Sequence, residues 1–166
     1  MTKEQILINR VAALEAEVLK YRYDKLTGLK GRADFSADFN LMFDSGQPFY
    51  LILADVNGLK KANTDGGYAA GDALLMRAVK KLKECNPTGY HSDLYRYAGD
   101  EFVLLFPFSR EYHSEDLHCP SDMYCIATKS SEYFKTADDL FKATNDLLLE
   151  RKEAYYKKHP NDRRIV

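Results

Sequence analysis

Tryptophan is absent from this chain, cysteine is scarce, and neither sign of charge prevails. Three cysteines, Cys85, Cys119 and Cys125, are an odd number and too few to staple 166 residues. The fold must therefore rest on a hydrophobic core, and the thiols read as reduced, as in a cytoplasmic protein. Lys and Arg number 24 against 25 Asp and Glu, a formal net charge of -1. No global basic field exists to hold a nucleic-acid backbone, so a polymeric nucleic acid is not expected as a partner. The longest apolar run, Phe49 to Ala54, is too short to span a bilayer, and the first ten residues carry no signal-peptide stretch, so no membrane partner is expected. An anionic ligand would have to be small and held by local chemistry.

What is present suits one soluble domain: 45% hydrophobic and 30% charged residues over 166 positions. Residues 3–23 carry apolar side chains at Leu7, Val11, Leu14, Val18 and Tyr21, a heptad stripe. Valine alternating with leucine favours a parallel two-stranded coiled coil, and a helix packed on its own domain is the alternative. Two glycines in YDKLTGLKG (23–31) interrupt the helical pattern. A second helix is expected with Phe35, Phe39 and Met42 or Phe43 on one face, ending near Ser45-Gly46. PFYLILADV reads as a buried strand closing on Asp55. A polar, glycine-rich segment from Asn57 to Gly71 should lead into a helix over about 72–84, with Leu74, Leu75, Ala78, Val79 and Leu82 inward. Residues 93–97 and 102–106 read as a hairpin around Ala98-Gly99-Asp100-Glu101, with glycine where the turn needs one. Residues 123–128 form a fourth strand. A closing helix over about 136–158 should bury Leu140, Phe141, Leu147, Leu148 and Tyr155. The order predicts an α/β (α+β) sandwich on a mainly antiparallel sheet, close to a ferredoxin-like palm. Its parts are an N-terminal stalk helix (1–22), a main domain (23–160) and a basic tail (161–166).

Asp55 falls at the carboxyl end of the first strand, and Asp100 and Glu101 fall on the hairpin tip. If the two lie side by side, three carboxylates converge at one end of the sheet, where repulsion calls for a cation. Hard oxygen donors of this kind suit Mg²⁺ or Mn²⁺ together with substrate phosphates. Lys60, beyond Asp55, is within range of such phosphates. Helix capping by Asp55 and plain solvation of the hairpin acids is the competing reading. His113, His118, Cys119 and Cys125 match no zinc-ligand spacing. The many phenylalanines and tyrosines are expected in the core and at interfaces rather than as base-stacking platforms.

The string YAGDEF at 97–102, after Arg96, resembles the signature of the GGDEF family of diguanylate cyclases. DKLTGLKGR (24–32), DVNGLKKANTDGGYAAGD (55–72) and TNDLLLERKEAYY (144–156) resemble three further blocks of that family, in its order. The resemblance implies condensation of two GTP into cyclic di-GMP by facing subunits of a homodimer. It implies metal binding by Asp55, Asp100 and the Val56 carbonyl, with Glu101 assisting the metal or the attacking hydroxyl. It further implies guanine reading by Asn63 and Asp72, and a triphosphate held by Lys60 and Lys152. An alternative of the same fold is a catalytically inactive domain that binds GTP or a protein partner. A palm-type polymerase would share the metal acids but lacks a basic channel here.

The sequence departs from the family pattern in several places. Ala98 replaces the first motif glycine, Asn57 an acid, and Thr64 and Tyr68 the usual Asp and His. Segment 107–122 is shorter than the usual helix there, which would leave sheet surface open to a protein partner. GYHSD (89–93) lacks the arginine of the family's product-inhibition site, so feedback through that site is not expected.

Overall fold

Side chains alternate across a strand, so a strand that is apolar at every position must be covered on both faces. In a computed structural model, the described residues are 2–84, 93–107, 123–131 and 133–158, without the side chains of 19–21. There the strand β1 (Phe49–Val56) is buried along its whole length. It is central in a four-stranded sheet of order β2-β3-β1-β4, where β2 is Asp93–Ala98, β3 Glu101–Pro107 and β4 Met123–Lys129. All these pairings are antiparallel. The expected fold class is thus found.

One face of the sheet (Ile52, Ala54, Val56, Phe102, Leu104, Phe106) packs against α3 (Leu59–Glu84) through Leu74, Leu75, Ala78, Val79 and Leu82. The other (Leu51, Leu53, Val103, Leu105, Tyr95) packs against α2 (Arg32–Asp44) and α4 (Ala137–Lys158), through Phe35, Phe39, Leu140 and Leu148. The three layers bring the strand ends, with Asp55 and the hairpin tip, to one edge of the sandwich.

Three expectations need correction. Residues 59–66 are helical rather than an irregular glycine-rich segment. Leu59 and Ala62, three apart, lean on the core, and Gly67 (φ 71°, ψ 178°) kinks α3 between two helical stretches. The hairpin turn shortens to Gly99-Asp100, because Ala98 pairs with Glu101 and a bulge absorbs Tyr97. Gly99 does not have a positive φ, so the turn itself does not demand glycine there. On α4, Leu147 and Tyr155 are exposed, and Thr144 takes the buried place, its hydroxyl donating to Leu140 O at 2.7 Å.

The stalk helix α1 (Lys3–Arg22) has Thr2 as its N-cap. Its described side chains are all exposed, Leu7 at 66% and Val18 at 63%. At its C-terminal end α1 touches the domain, where Arg22 donates to Asp34 of α2. Cys85, residues 88–92, His113, His118, Cys119, most of segment 107–122 and the tail lie outside the described residues.

Gly67 occupies a backbone region that is essentially closed to L residues. Gly67→Ala is expected to cost about 1–3 kcal/mol, read as a lowered denaturant midpoint with an unchanged slope; an unchanged midpoint would count against the kink.

Candidate active site

The site starts from a backbone bond. The Val56 amide donates to Asp100 O at 3.0 Å, and Asp55 pairs directly with Glu101. The end of β1 and the hairpin tip are thereby held side by side, as the sequence anticipated.

The three carboxylates do not, however, form one cluster: among the described residues no group of three or more acids, histidines or cysteines is placed to hold a metal. Strand alternation is the reason. Asp55 lies on the α4 side, where its Oδ2 meets Lys152 Nζ at 2.8 Å, and the carboxylate is almost fully buried. Glu101, its cross-strand partner, borders a cavity of about 230 Å³ with Phe141 and Asn145 of α4. Asp100, one residue earlier, borders a larger cavity on the α3 side.

That larger cavity, about 530 Å³, falls within the usual range for small-molecule sites. Leu59, Lys60, Asn63, Tyr68 and Asp100 contribute to its wall. Asn63 is therefore brought to the same cavity as Asp100 and Lys60. Asp72 is exposed on α3 one turn beyond Tyr68, and it is not among the residues bordering this cavity. Its link to Asn63 runs through Gly71: a Cβ there would collide with the Asn63 carboxamide. Gly71 is thus the residue that lets Asn63 lie beside the Asp72 stretch. It stood inside a quoted motif, but its neighbour across the kink was invisible from spacing.

Lys152, which the resemblance makes a triphosphate lysine, stands against Asp55. A buried carboxylate needs a cationic partner. Asn57 Oδ1, two residues on, is buried with no hydrogen-bond donor. The carboxylates of Asp55 and Asp100 and the nearby backbone carbonyls are hard oxygen donors, the type that Mg²⁺ or Mn²⁺ takes alongside phosphates. They do not form a complete protein cage.

Arg96, to which the sequence reading gave no role, holds the hairpin. Its Nη1 donates to both oxygens of Asp24, at 2.8 and 2.9 Å, while Nη2 and Nε donate to Gly99 O at 2.8 and 3.1 Å. Asp24 also accepts from the Thr27 amide and hydroxyl, at 2.8 and 2.6 Å. The loop after the stalk is thus tied to the hairpin tip. A second network centres on Asp38 of α2, whose Oδ2 accepts from Lys30 Nζ at 2.9 Å and from the Tyr95 hydroxyl at 2.7 Å. Burial pushes the Tyr95 hydroxyl well up, and Asp38 adds to that. Burial opposes ionisation of Asp24, yet the Thr27 bonds and Arg96 together hold its carboxyl below the ordinary 3.8.

A carboxyl more acidic in the folded state adds stability that is complete above its unfolded value and is lost as pH falls through the folded one. Asp24→Asn is expected to cost about 1–2 kcal/mol at neutral pH, and to lose less Tm than the parent on going from about pH 5 to pH 3. Equal acid losses in thermal melts would remove Asp24 from the clamp.

The diguanylate cyclase GGDEF-domain family model matches residues 21–119. Diguanylate cyclase VdcA of Vibrio cholerae is 33% identical over 85 residues, 51% of this chain and 24% of that protein. Diguanylate cyclase DgcN of Escherichia coli is 29% identical over 135 residues, 79% of this chain and 31% of that protein. The chain thus matches about a third or less of the length of these relatives. The crystal structure of the coiled coil and GGDEF domain of DgcB from Caulobacter crescentus, in complex with c-di-GMP, superposes with a TM-score of 0.74. Its identity is 15%, and 91% of each chain is covered.

Proposed function

The chain belongs to the GGDEF family of diguanylate cyclase domains, and from that premise we propose that it condenses two GTP into cyclic di-GMP with release of pyrophosphate. The observation that carries this reading is the bond from Val56 N to Asp100 O. It joins the end of β1, which carries Asp55, to the hairpin tip, whose Asp100 borders the cavity with Lys60 and Asn63.

In this reading guanine enters the α3-side cavity. Asn63 and, from the next turn of α3, Asp72 meet its edge. Guanine presents an N1–H beside an exocyclic amine, so a carboxylate accepts both, whereas adenine would set a lone pair against it. A bidentate match of this kind is worth about 1–3 kcal/mol of discrimination. Lys60 faces the phosphates. Asp55, Asp100 and the Val56 carbonyl hold Mg²⁺ or Mn²⁺, which supplies charge neutralisation at the α-phosphate and at the entering 3′-oxygen. Lys152, already beside Asp55, is at hand for the departing pyrophosphate. Glu101, on the α4 side of the tip, assists the metal or the attacking hydroxyl in this reading.

A 3′-hydroxyl attacks the α-phosphate of the other GTP, so two sites must face each other. The exposed stripe Leu7, Val11, Leu14, Val18 supports a parallel homodimer formed through α1. A second reading, a GGDEF domain that binds GTP or a protein without turnover, draws on the Lys152–Asp55 pair, which places an internal cation where the metal would bind.

Two experiments separate them. Pure protein with GTP and Mg²⁺, followed by chromatography, is expected to yield cyclic di-GMP and pyrophosphate. Asp100→Asn should lower the rate by at least about a hundredfold while leaving the thermal melt intact. No product with Mg²⁺ or Mn²⁺ at high protein concentration would leave the binding module. Leu14→Asn is expected to convert dimer to monomer in sedimentation and to depress the rate most at low protein concentration. A variant that remains dimeric would move the interface away from α1.

A further inference from the structure

Tyr68 is 85% exposed, yet it borders the 530 Å³ cavity together with Asn63 and Leu59. Tyr133 is as exposed, at 86%, but is not among the residues bordering this cavity. The placement of Tyr68 follows from the backbone. Gly67, with φ 71° and ψ 178°, breaks α3 just before it, and the helix restarts with Tyr68 in its first turn. Leu59 and Asn63, four apart and so on one face of the helix before the kink, stand on the other side of the break. Asp72 lies one turn beyond Tyr68 on the same face. An aromatic ring, an aliphatic side chain and a carboxamide therefore border a single cavity across one kink. A planar heterocycle with hydrogen-bonding edges has complementary chemistry: its faces meet the ring and Leu59, and its edge meets Asn63.

We propose that Tyr68 is a stacking residue for the purine of a nucleotide bound in this cavity, contributing affinity without choosing between guanine and adenine. The inference rests on the nucleotide reading above and assigns a role to a residue that departs from the family pattern. Choice of base belongs to edge contacts, because every base has a π-face and stacking is tolerant of its identity. The phenol hydroxyl has no part in it. The general expectation that tyrosines here serve core and interfaces is thereby set aside at this one position.

The test is equilibrium binding by calorimetry, with the triphosphates of guanosine and adenosine carrying a methylene between the α- and β-phosphorus, so that no turnover occurs. Tyr68→Ala is expected to weaken both nucleotides about tenfold or more and leave their ratio unchanged. Tyr68→Phe should bind like the parent, whereas Asn63→Ala should narrow the ratio. The side chain is exposed, so the alanine variant is expected to melt with the parent. Wild-type binding that Tyr68→Ala leaves unaltered would overturn the stacking role alone. A loss by Tyr68→Phe equal to that of alanine would overturn it in favour of a hydroxyl bond. No binding of either nucleotide by the parent would overturn the nucleotide reading and the stacking role with it.

Discussion

The antiparallel pairing of β1 with β3 is the constraint on which the rest of this molecule depends. It runs from Phe49 opposite Pro107 to Asp55 opposite Glu101 and ends in the bond from Val56 N to Asp100 O. Its register decides which side chains meet α3 and which meet α4. A slip of one residue would turn every side chain of β1 to the other face. Leu51 and Leu53 would leave the α2 and α4 core, and Asp55 would leave Lys152. The apolar run on both faces makes that slip costly, so the chemistry at the strand end inherits its placement from the core behind it.

The hairpin tip is held by the same logic from another direction. A two-residue turn could rock on its strands, but Arg96 joins Gly99 O to Asp24. Charge-assisted, bidentate bonds are directional as well as strong. Because Asp24 lies just beyond the stalk helix, the segment that begins the domain also steadies the tip carrying Asp100. On the other side of the sheet, Lys152 compensates the buried Asp55. The carboxylate at the end of β1 is thus neutralised by a side chain of α4.

Much of the fold was legible because it follows from periodicity. The buried faces of α2 and α3, the apolar β1 and the fourth strand all agree with the hydrophobic pattern. The errors came where a residue's role depends on a neighbour far along the chain. Gly67 was read within a polar, glycine-rich segment, although Leu59 and Ala62 before it stand on one helical face against the core. Thr144 takes a core place because its hydroxyl bonds to the preceding turn. Leu147 points away because the face of α4 is set by the sheet.

The sequence by itself determined which residues are chemically able to act and the order in which they come. Asp55 closes a buried strand, Asp100 and Glu101 cap a hairpin, and the heptad stripe begins the chain. Tertiary structure alone decided their company. It put Asp100 and Asn63 on one cavity, turned Asp55 and Glu101 to the other side, set Lys152 against Asp55, and tied Arg96 to Asp24. Local spacing specifies the face of a strand or a helix, whereas contacts across 72 residues, as between Asp24 and Arg96, exist only once the layers have closed.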